Sequence, residues 1–178
     1  MINASLKYQL FDWLDVVGRV KIDNYDNRST YKAYASTGTL VSGDRGTYSD
    51  TSTQSKNTYA DAIATLNKSF NDWSVNVNLG VSLSDSRYEM IGYEGGLKLI
   101  NFFAVHNIDF NKAWKAKQSG WHDQTRAIFA NAEIGWKSMI YLTATGRNDW
   151  DSRLAFSDYK SFFYPSIGLS AILTSMFN

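Results

Sequence analysis

Residues 73–83 read W-S-V-N-V-N-L-G-V-S-L, and this stretch decides the fold of the chain. Every odd position from Trp73 to Leu83 is apolar, and every even position is small or polar. A period of two over this length predicts a β-strand with one apolar and one polar face. Soluble strands usually end after about five or six residues, whereas about eleven residues tilted near 45° span the ~25 Å apolar band of an outer-membrane barrel. The stretch therefore predicts a strand that can cross a membrane.

Composition restricts the classes of function. The chain has 178 residues, 44% of them hydrophobic, and a net charge of +1 from 18 basic and 17 acidic residues, so nothing favours a nucleic-acid partner. It has no cysteine, which excludes disulfides, thiolate metal sites and cysteine nucleophiles. No apolar run approaches the length of a membrane-spanning helix. The aromatic content of 15% fits either interfacial aromatic belts or the core of a soluble sandwich.

Period-two alternation recurs along the whole chain, and no helical period of similar strength is found. The fold class predicted is all-β, an antiparallel up-and-down meander of about seven strands. These strands are predicted at about 2–10, 14–25, 56–69, 73–85, 124–137, 139–148 and 164–174.

The predicted connections alternate between short and long. Short turns are predicted at 11–13, 70–72 and 137–138, and long polar loops at 26–55, 86–123 and 149–163. In a meander, successive connections lie at opposite ends of the sheet, so all the short turns share one end. This asymmetry is typical of outer-membrane barrels. A soluble glycan-binding β-sandwich, whose apolar faces pack against each other, also alternates and stays open as an alternative.

Several strings resemble one transporter family. The string Leu142-Thr-Ala-Thr-Gly-Arg-Asn-Asp-Trp150, followed by Ser161-Phe-Phe-Tyr-Pro-Ser-Ile-Gly-Leu-Ser170, closely resembles a signature of the SusC/RagA family of TonB-dependent outer-membrane transporters. The strings at 85–93, 101–109 and 120–130 are similar to the same family's barrel. The resemblance implies that residues 1–178 are a partial segment of a large, 22-stranded type of barrel, with the plug domain, TonB box and signal peptide absent.

The resemblance also implies a function. Family members import large nutrients, glycan oligosaccharides or peptides, across the outer membrane of Gram-negative, Bacteroidetes-like cells. A SusD-like lipoprotein is expected to cover the extracellular mouth, TonB to supply energy through parts missing here, and outer-membrane lipid to surround the barrel. No enzymatic activity, cofactor or metal is expected. His106 is three residues from Asp109, and His122 is next to Asp123. Neither pair has the third ligand that a metal site needs.

Candidate ligand-binding residues are aromatic, because an aromatic face stacks on a sugar ring. We expect Tyr93, Trp114 and Trp121 to lie in loops and to be the preferred contacts, with Trp150 as a further candidate. The cluster Arg147-Asn-Asp-Trp150 has two interpretations: contact with a sugar or the lipoprotein at the rim, or a scaffold role, with Arg147 paired to acids and Trp150 in an aromatic belt. The scaffold role is favoured. Other charges are expected to line the lumen wall, namely Arg19, Lys21, Asp61, Glu133 and Arg126.

Overall fold

The structure is a computed structural model that describes residues 1–38 and 40–173. Within these residues seven strands form one antiparallel sheet in chain order, which confirms the predicted all-β meander. No helix among the described residues has the length and hydropathy to cross a membrane. The strands are β1 (Ile2–Phe11), β2 (Leu14–Ala33), β3 (Thr47–Phe70), β4 (Trp73–Gly96), β5 (Trp114–Trp136), β6 (Ile140–Asp151) and β7 (Phe162–Ala171).

The central strands are longer than predicted. Strands β3 and β4 have 24 residues each, so much of the predicted loops at 26–55 and 86–123 is strand. Alternation is lost where both faces of a strand carry polar residues, as in Y-D-N-R-S-T-Y-K at 25–32, although Tyr and Thr still favour β-structure. The predicted end of the last strand at 174 lies outside the described residues; β7 is described to Ala171.

The chain divides into two compact units. We call the first the alternating unit; it comprises 1–23, 57–86 and the segment from 123 onward. We call the second the polar unit; it comprises 24–56 and 87–122. Strand β4 contributes to both units, and its apolar alternation at 73–83 falls within the alternating unit.

Register in the alternating unit sets apolar residues opposite one another. Ala4 pairs with Val20, and Leu142 pairs with both Ile134 and Leu169. Since successive side chains point to opposite sides of a strand, these pairs define an apolar face and leave a polar face behind it. The apolar face is exposed: its large side chains include Leu79, Val81, Ile128, Ile167 and Leu169. The sandwich alternative requires a second sheet over this face, and the strands of the described residues all belong to one sheet.

The short turns lie at one end of the sheet, as predicted. Each is hydrogen-bonded through its backbone to a neighbouring strand end or turn. In the turn after β5, Lys137 and Ser138 adopt positive φ angles of 52° and 55°. The contacts are Asn67 N–H to Trp13 O (2.9 Å), Lys137 N–H to Asp72 O (2.7 Å) and Ile172 N–H to Met139 O (2.7 Å).

The polar unit has a small core of its own. Tyr48, Leu97 and Ile108 are buried together, and Tyr93 and Phe103 pack against them. The segment that supplies Leu97 and Ile108 connects β4 to β5, so this connection is anchored by burial of apolar side chains.

Buried Asn107 fixes the same connection through hydrogen bonds. Its side-chain amide donates to the carbonyls of Leu99 (3.0 Å) and Phe102 (2.7 Å), and its side-chain oxygen accepts from the Leu99 N–H (3.0 Å). A buried amide with these partners is satisfied, so it holds the loop rather than offering a binding group.

Candidate functional site

Aromatic side chains line the turn end of the alternating unit. Phe11 and Trp13 stack with ring centroids 5.2 Å apart, and Trp73 lies 6.5 Å from Trp136. The Lys137 ammonium sits 5.1 Å from the centroid of the Trp136 ring. Aromatic rings beside a cation are typical of a membrane–water interface, where one side of the ring is apolar and the other is wet.

A second pair of an aromatic residue and a cation lies ten residues from the turn end, along strands β5 and β6. Trp136 pairs with Ile140 at the turn end, and Arg126 pairs with Trp150 at the other end of the register. Ten residues at about 3.4 Å span about 34 Å, which a tilt near 45° reduces to about 24 Å. The apolar face between these two levels therefore has the height of a ~25 Å apolar band.

The polar face of the alternating unit carries a hydrogen-bonded row of amides and hydroxyls. The Thr65 hydroxyl donates to the Asn78 side-chain oxygen (2.8 Å), and the Asn78 amide donates to the Asn76 oxygen (2.8 Å). The Asn76 amide donates in turn to Asn67. A face of this chemistry suits contact with water or with polar solutes.

An ion pair lies on the polar face beside an open hollow. Arg19 Nε is 2.9 Å from Asp61 Oδ1, and the Asp61 side chain is 1% exposed. Its second oxygen has no hydrogen-bond partner among the described residues, which leaves a buried acceptor. The hollow has a volume of about 450 Å³, and Lys21 and Tyr59 also line it. Arg19, Lys21 and Asp61 thus lie on the polar face, and their position in a lumen wall stays a prediction.

A close contact between strands β4 and β5 also lies on the polar face. A Cβ atom built on Gly80 would overlap the ring of Phe129, so the ring lies directly over the glycine. The guanidinium of Arg147 is 5.7 Å from the centroid of the same ring, and Arg147 Nε donates to Asp149 Oδ1 at 2.9 Å. Glycine is needed at position 80 because the aromatic ring occupies the space of a side chain.

The Arg147–Trp150 cluster is divided between the two faces. Arg147 and Asp149 are on the polar face, whereas Trp150 is on the apolar face opposite Arg126. This arrangement favours the scaffold interpretation. Arg126 was predicted to face the lumen, and that prediction is wrong: its register with Trp150 and its even spacing from Ile128 put it on the apolar face.

Three of the candidate aromatic residues are in strands, so their predicted location in loops is wrong. Trp121 in β5 is 49% exposed and stacks on Tyr88 with centroids 6.0 Å apart and planes 13° from parallel. Trp114 packs edge-on against Phe110 at 5.0 Å. Tyr93 in β4 packs against the small core. The three aromatic residues contact different neighbours, so they do not form one cluster in the polar unit.

Sequence reasoning missed Tyr88 and Phe110, the partners of two of these tryptophans. The contact of Tyr88 with Trp121 joins two strands and depends on register, which one sequence does not specify in a polar strand. Phe110 lies in the turn before β5, four residues from Trp114. Both residues were visible only as further aromatic residues in polar surroundings.

A groove of about 640 Å³ lies in the polar unit, and Glu89 and Gly120 line it. Successive side chains point to opposite sides of a strand, so the stacked pair of Tyr88 and Trp121 lies on the other face of the sheet from these two residues. Ser52, Gln54, Glu89 and Gln118 supply its polar lining, and Met90 and Ile91 its apolar lining. The side-chain amides and the carboxylate of the groove can hydrogen-bond with a sugar or a peptide, and the stacked aromatic pair offers a separate stacking surface.

Ion pairs among the described residues of the polar unit include those of Arg28 with Asp50 and of Lys117 with Glu94. Arg28 binds Asp50 through two contacts, Nε to Oδ1 at 2.9 Å and Nη2 to Oδ2 at 2.6 Å. This hydrogen bonding lowers the pKa of Asp50 below its ordinary value against an opposing effect of burial. Lys117 Nζ is 2.8 Å from Glu94 Oε2, and that hydrogen bond lowers the pKa of Glu94.

The histidines do not assemble a metal site. The His106 ring packs edge-on against Phe102 at 5.6 Å. Among the described residues no group of three His, Cys, Asp or Glu side chains could hold a metal ion.

No protein-family model and no curated protein sequence matches this chain. Solved structures do match it. A structure described as the RagAB peptide transporter aligns with a TM-score of 0.83 and 15% identity over 94% of this chain and 19% of its own. The RagAB peptide importer in its closed-closed state aligns with a TM-score of 0.86 and 15% identity over 98% and 20%. In its open-open state the values are 0.84, 14%, 94% and 18%.

The chain thus spans about a fifth of the length of the solved chains that it matches. At this level of identity the likeness concerns the fold. It agrees with the transporter family that the sequence strings resemble. The seven-stranded meander has the fold of a partial barrel segment of the RagAB transporter structures.

Proposed function

We propose that the complete protein imports large nutrients, oligosaccharides or peptides, across a Gram-negative outer membrane, and that this chain forms part of its barrel wall. The observation that carries the proposal is the exposed apolar face of the alternating unit, bounded by Trp136 on β5 and, ten residues further along the paired strands, by Trp150 on β6. Such a face has a favourable environment only against hydrocarbon or another protein, and its height fits a bilayer. The role is transport, and no covalent chemistry is assigned to the chain.

The polar unit is assigned to contacts outside the hydrocarbon. Its exposed Trp121, stacked on Tyr88, supports binding of a sugar ring or a peptide. We place a SusD-like lipoprotein as the partner that covers this side of the barrel, and TonB as the source of energy. The matched structures support this assembly through their names, which describe a two-component RagAB peptide importer.

Uptake by intact cells tests the proposal. A strain that lacks the complete protein should fail to take up a fluorescently labelled peptide or oligosaccharide pool that the parent strain accumulates. Uptake should also stop when a proton ionophore removes the energy that TonB transmits. Uptake that persists without the protein, or recovery of the protein in the soluble fraction, would contradict the proposal.

The substitution Trp121→Ala tests the role of a single residue in binding. We expect it to reduce binding of the transported pool about 10-fold, which is in the range of about 1–3 kcal/mol for an aromatic stacking contact. Trp114→Ala is the matched control, because Trp114 is similarly exposed and on the same strand, but packs edge-on against Phe110 rather than stacking on Tyr88.

A further inference from the structure

An apolar groove of about 660 Å³ crosses the apolar face of the alternating unit. Small residues form its floor and larger apolar side chains form its sides. Among the described residues that line it, Asn148 is the one with a polar side chain. The residues that the argument uses are Ala62, Ala64, Ile128, Ala130, Gly146 and Phe163.

The floor of the groove is made by paired small residues. Ala130 pairs with Gly146 across β5 and β6, and the ring of Phe163 on β7 lies 3.4 Å from where a Cβ of Gly146 would be. Larger residues at 130 and 146 would fill this depression, so its depth depends on those two positions.

Polar groups lie at one end of the groove. Ile128 pairs with Asn148 and, two residues further along, Arg126 pairs with Trp150. Two residues correspond to about 7 Å of strand, so the amide, the guanidinium and the indole lie within reach of one another. Arg126 is exposed and forms no salt bridge to any residue that the structure describes. A cation beside an aromatic residue at the edge of an apolar band is suited to a phosphate at headgroup level.

We propose that this surface is a binding site for one anionic, phosphate-bearing lipid. The lipid phosphate would contact Arg126 and Asn148, and one acyl chain would lie in the groove over Ala130 and Gly146. The inference rests on the proposed membrane location and goes beyond it, because a barrel wall requires hydrocarbon contact but no particular lipid. Charge selects the headgroup: Arg126 favours a lipid of net negative charge over a zwitterionic one. Shape selects the chain, since the groove is apolar and continues across neighbouring strands from Val16 on β2 to Phe163 on β7.

Native mass spectrometry of the complete transporter tests the site. The protein is released from nanodiscs that contain equal amounts of phosphatidylglycerol and phosphatidylcholine, and retained lipids are counted. We expect preferential retention of one phosphatidylglycerol. Arg126→Gln should remove the preference, with about a 10-fold fall in the ratio of the two retained lipids. Ala130→Leu should reduce retention of the lipid while Arg126 is unchanged.

Arg147→Gln is the matched control, because it removes a cation one strand away that lies on the polar face. It should leave lipid retention unchanged. Equal retention of both lipids by the unaltered protein would overturn the proposal, and so would an unchanged preference in Arg126→Gln. A protein that enters nanodiscs normally but shows no preference refutes this site alone, whereas a protein that does not enter them refutes the membrane assignment.

Discussion

Strand β4 passes through both units, and two of its residues show how the units differ. Val81 in the alternating unit and Ile91 in the polar unit are each 50% exposed. Around Val81 every second residue is apolar, whereas the residues around Ile91, R-Y-E-M-I-G-Y-E, show no such row. Exposure of one apolar side chain is ordinary in any protein. A periodic row of exposed apolar side chains is what distinguishes a surface that meets hydrocarbon.

The largest expected effect comes from placing a charge at these two positions. Val81→Arg should destabilise the folded complete protein in the membrane by about 2–4 kcal/mol, because the guanidinium would lie within the apolar band. Ile91→Arg should cost no more than about 0.5 kcal/mol, the usual range for a surface substitution. Urea unfolding in lipid vesicles measures both. Equal losses at the two positions would contradict the division between the units.

A smaller effect is expected where strands β4 and β5 approach closely, at Gly80 and Phe129. Gly80→Ala should destabilise the protein by about 1–3 kcal/mol, because the new methyl group overlaps the ring of Phe129. Gly18→Ala is the control, since a Cβ at Gly18 meets nothing within 4 Å. In the Phe129→Ala background the cost of Gly80→Ala should disappear. A full cost in that background would show that the ring is not the obstacle.

Acid should loosen the polar unit around Asp50. Its pKa is lower in the fold than its ordinary value of 3.8, so the pair with Arg28 stabilises the fold above about pH 4 and is lost as the pH falls through the lowered pKa. Backbone amides near the pair should then exchange faster with deuterium below about pH 4 than at pH 6, after correction for intrinsic rates. In Asp50→Asn this acid-dependent step should be missing. Its persistence in the variant would assign the step to another group.

The smallest effect is expected for the pair of Lys117 and Glu94, because the Glu94 carboxylate is more exposed than that of Asp50. Side chains at this pair are 37% and 31% exposed, so solvent screens the attraction. Glu94→Gln should change stability by no more than about 1 kcal/mol, and the difference should shrink as salt is added. Urea unfolding at low and high salt measures it. A loss that is independent of salt would indicate packing rather than charge.

The sequence predicts the alternating unit well and the polar unit poorly, for a physical reason. Between Trp73 and Leu83 one face of the strand is apolar and the other is small or polar, so the residue types record the strand period. Between 25 and 32 both faces are polar, and β2 leaves no such record although it continues to Ala33. Turn-forming residue types there predicted loops that the structure does not have.

Pairings across strands likewise could not be predicted from the sequence. Alternation places Arg19 and Asp61 on the same face, but their contact depends on the register between β2 and β3. The stacking of Trp121 on Tyr88 depends on register in the same way. The opposite case is Arg126, whose even spacing from Ile128 already indicated the apolar face. That position was predictable and was predicted wrongly.

Accessibility of spin labels along β4 tests the central claim most directly. This chain has no cysteine, so labels can be placed one at a time from Trp73 to Ile91 in the complete protein, reconstituted in lipid vesicles. Labels at odd positions from 73 to 83 should collide with oxygen dissolved in the bilayer, and labels at even positions with a water-soluble nickel complex. From 87 to 91 both parities should favour the nickel complex. Odd positions from 73 to 83 that are accessible to the nickel complex, or shielded from both reagents, would contradict the account.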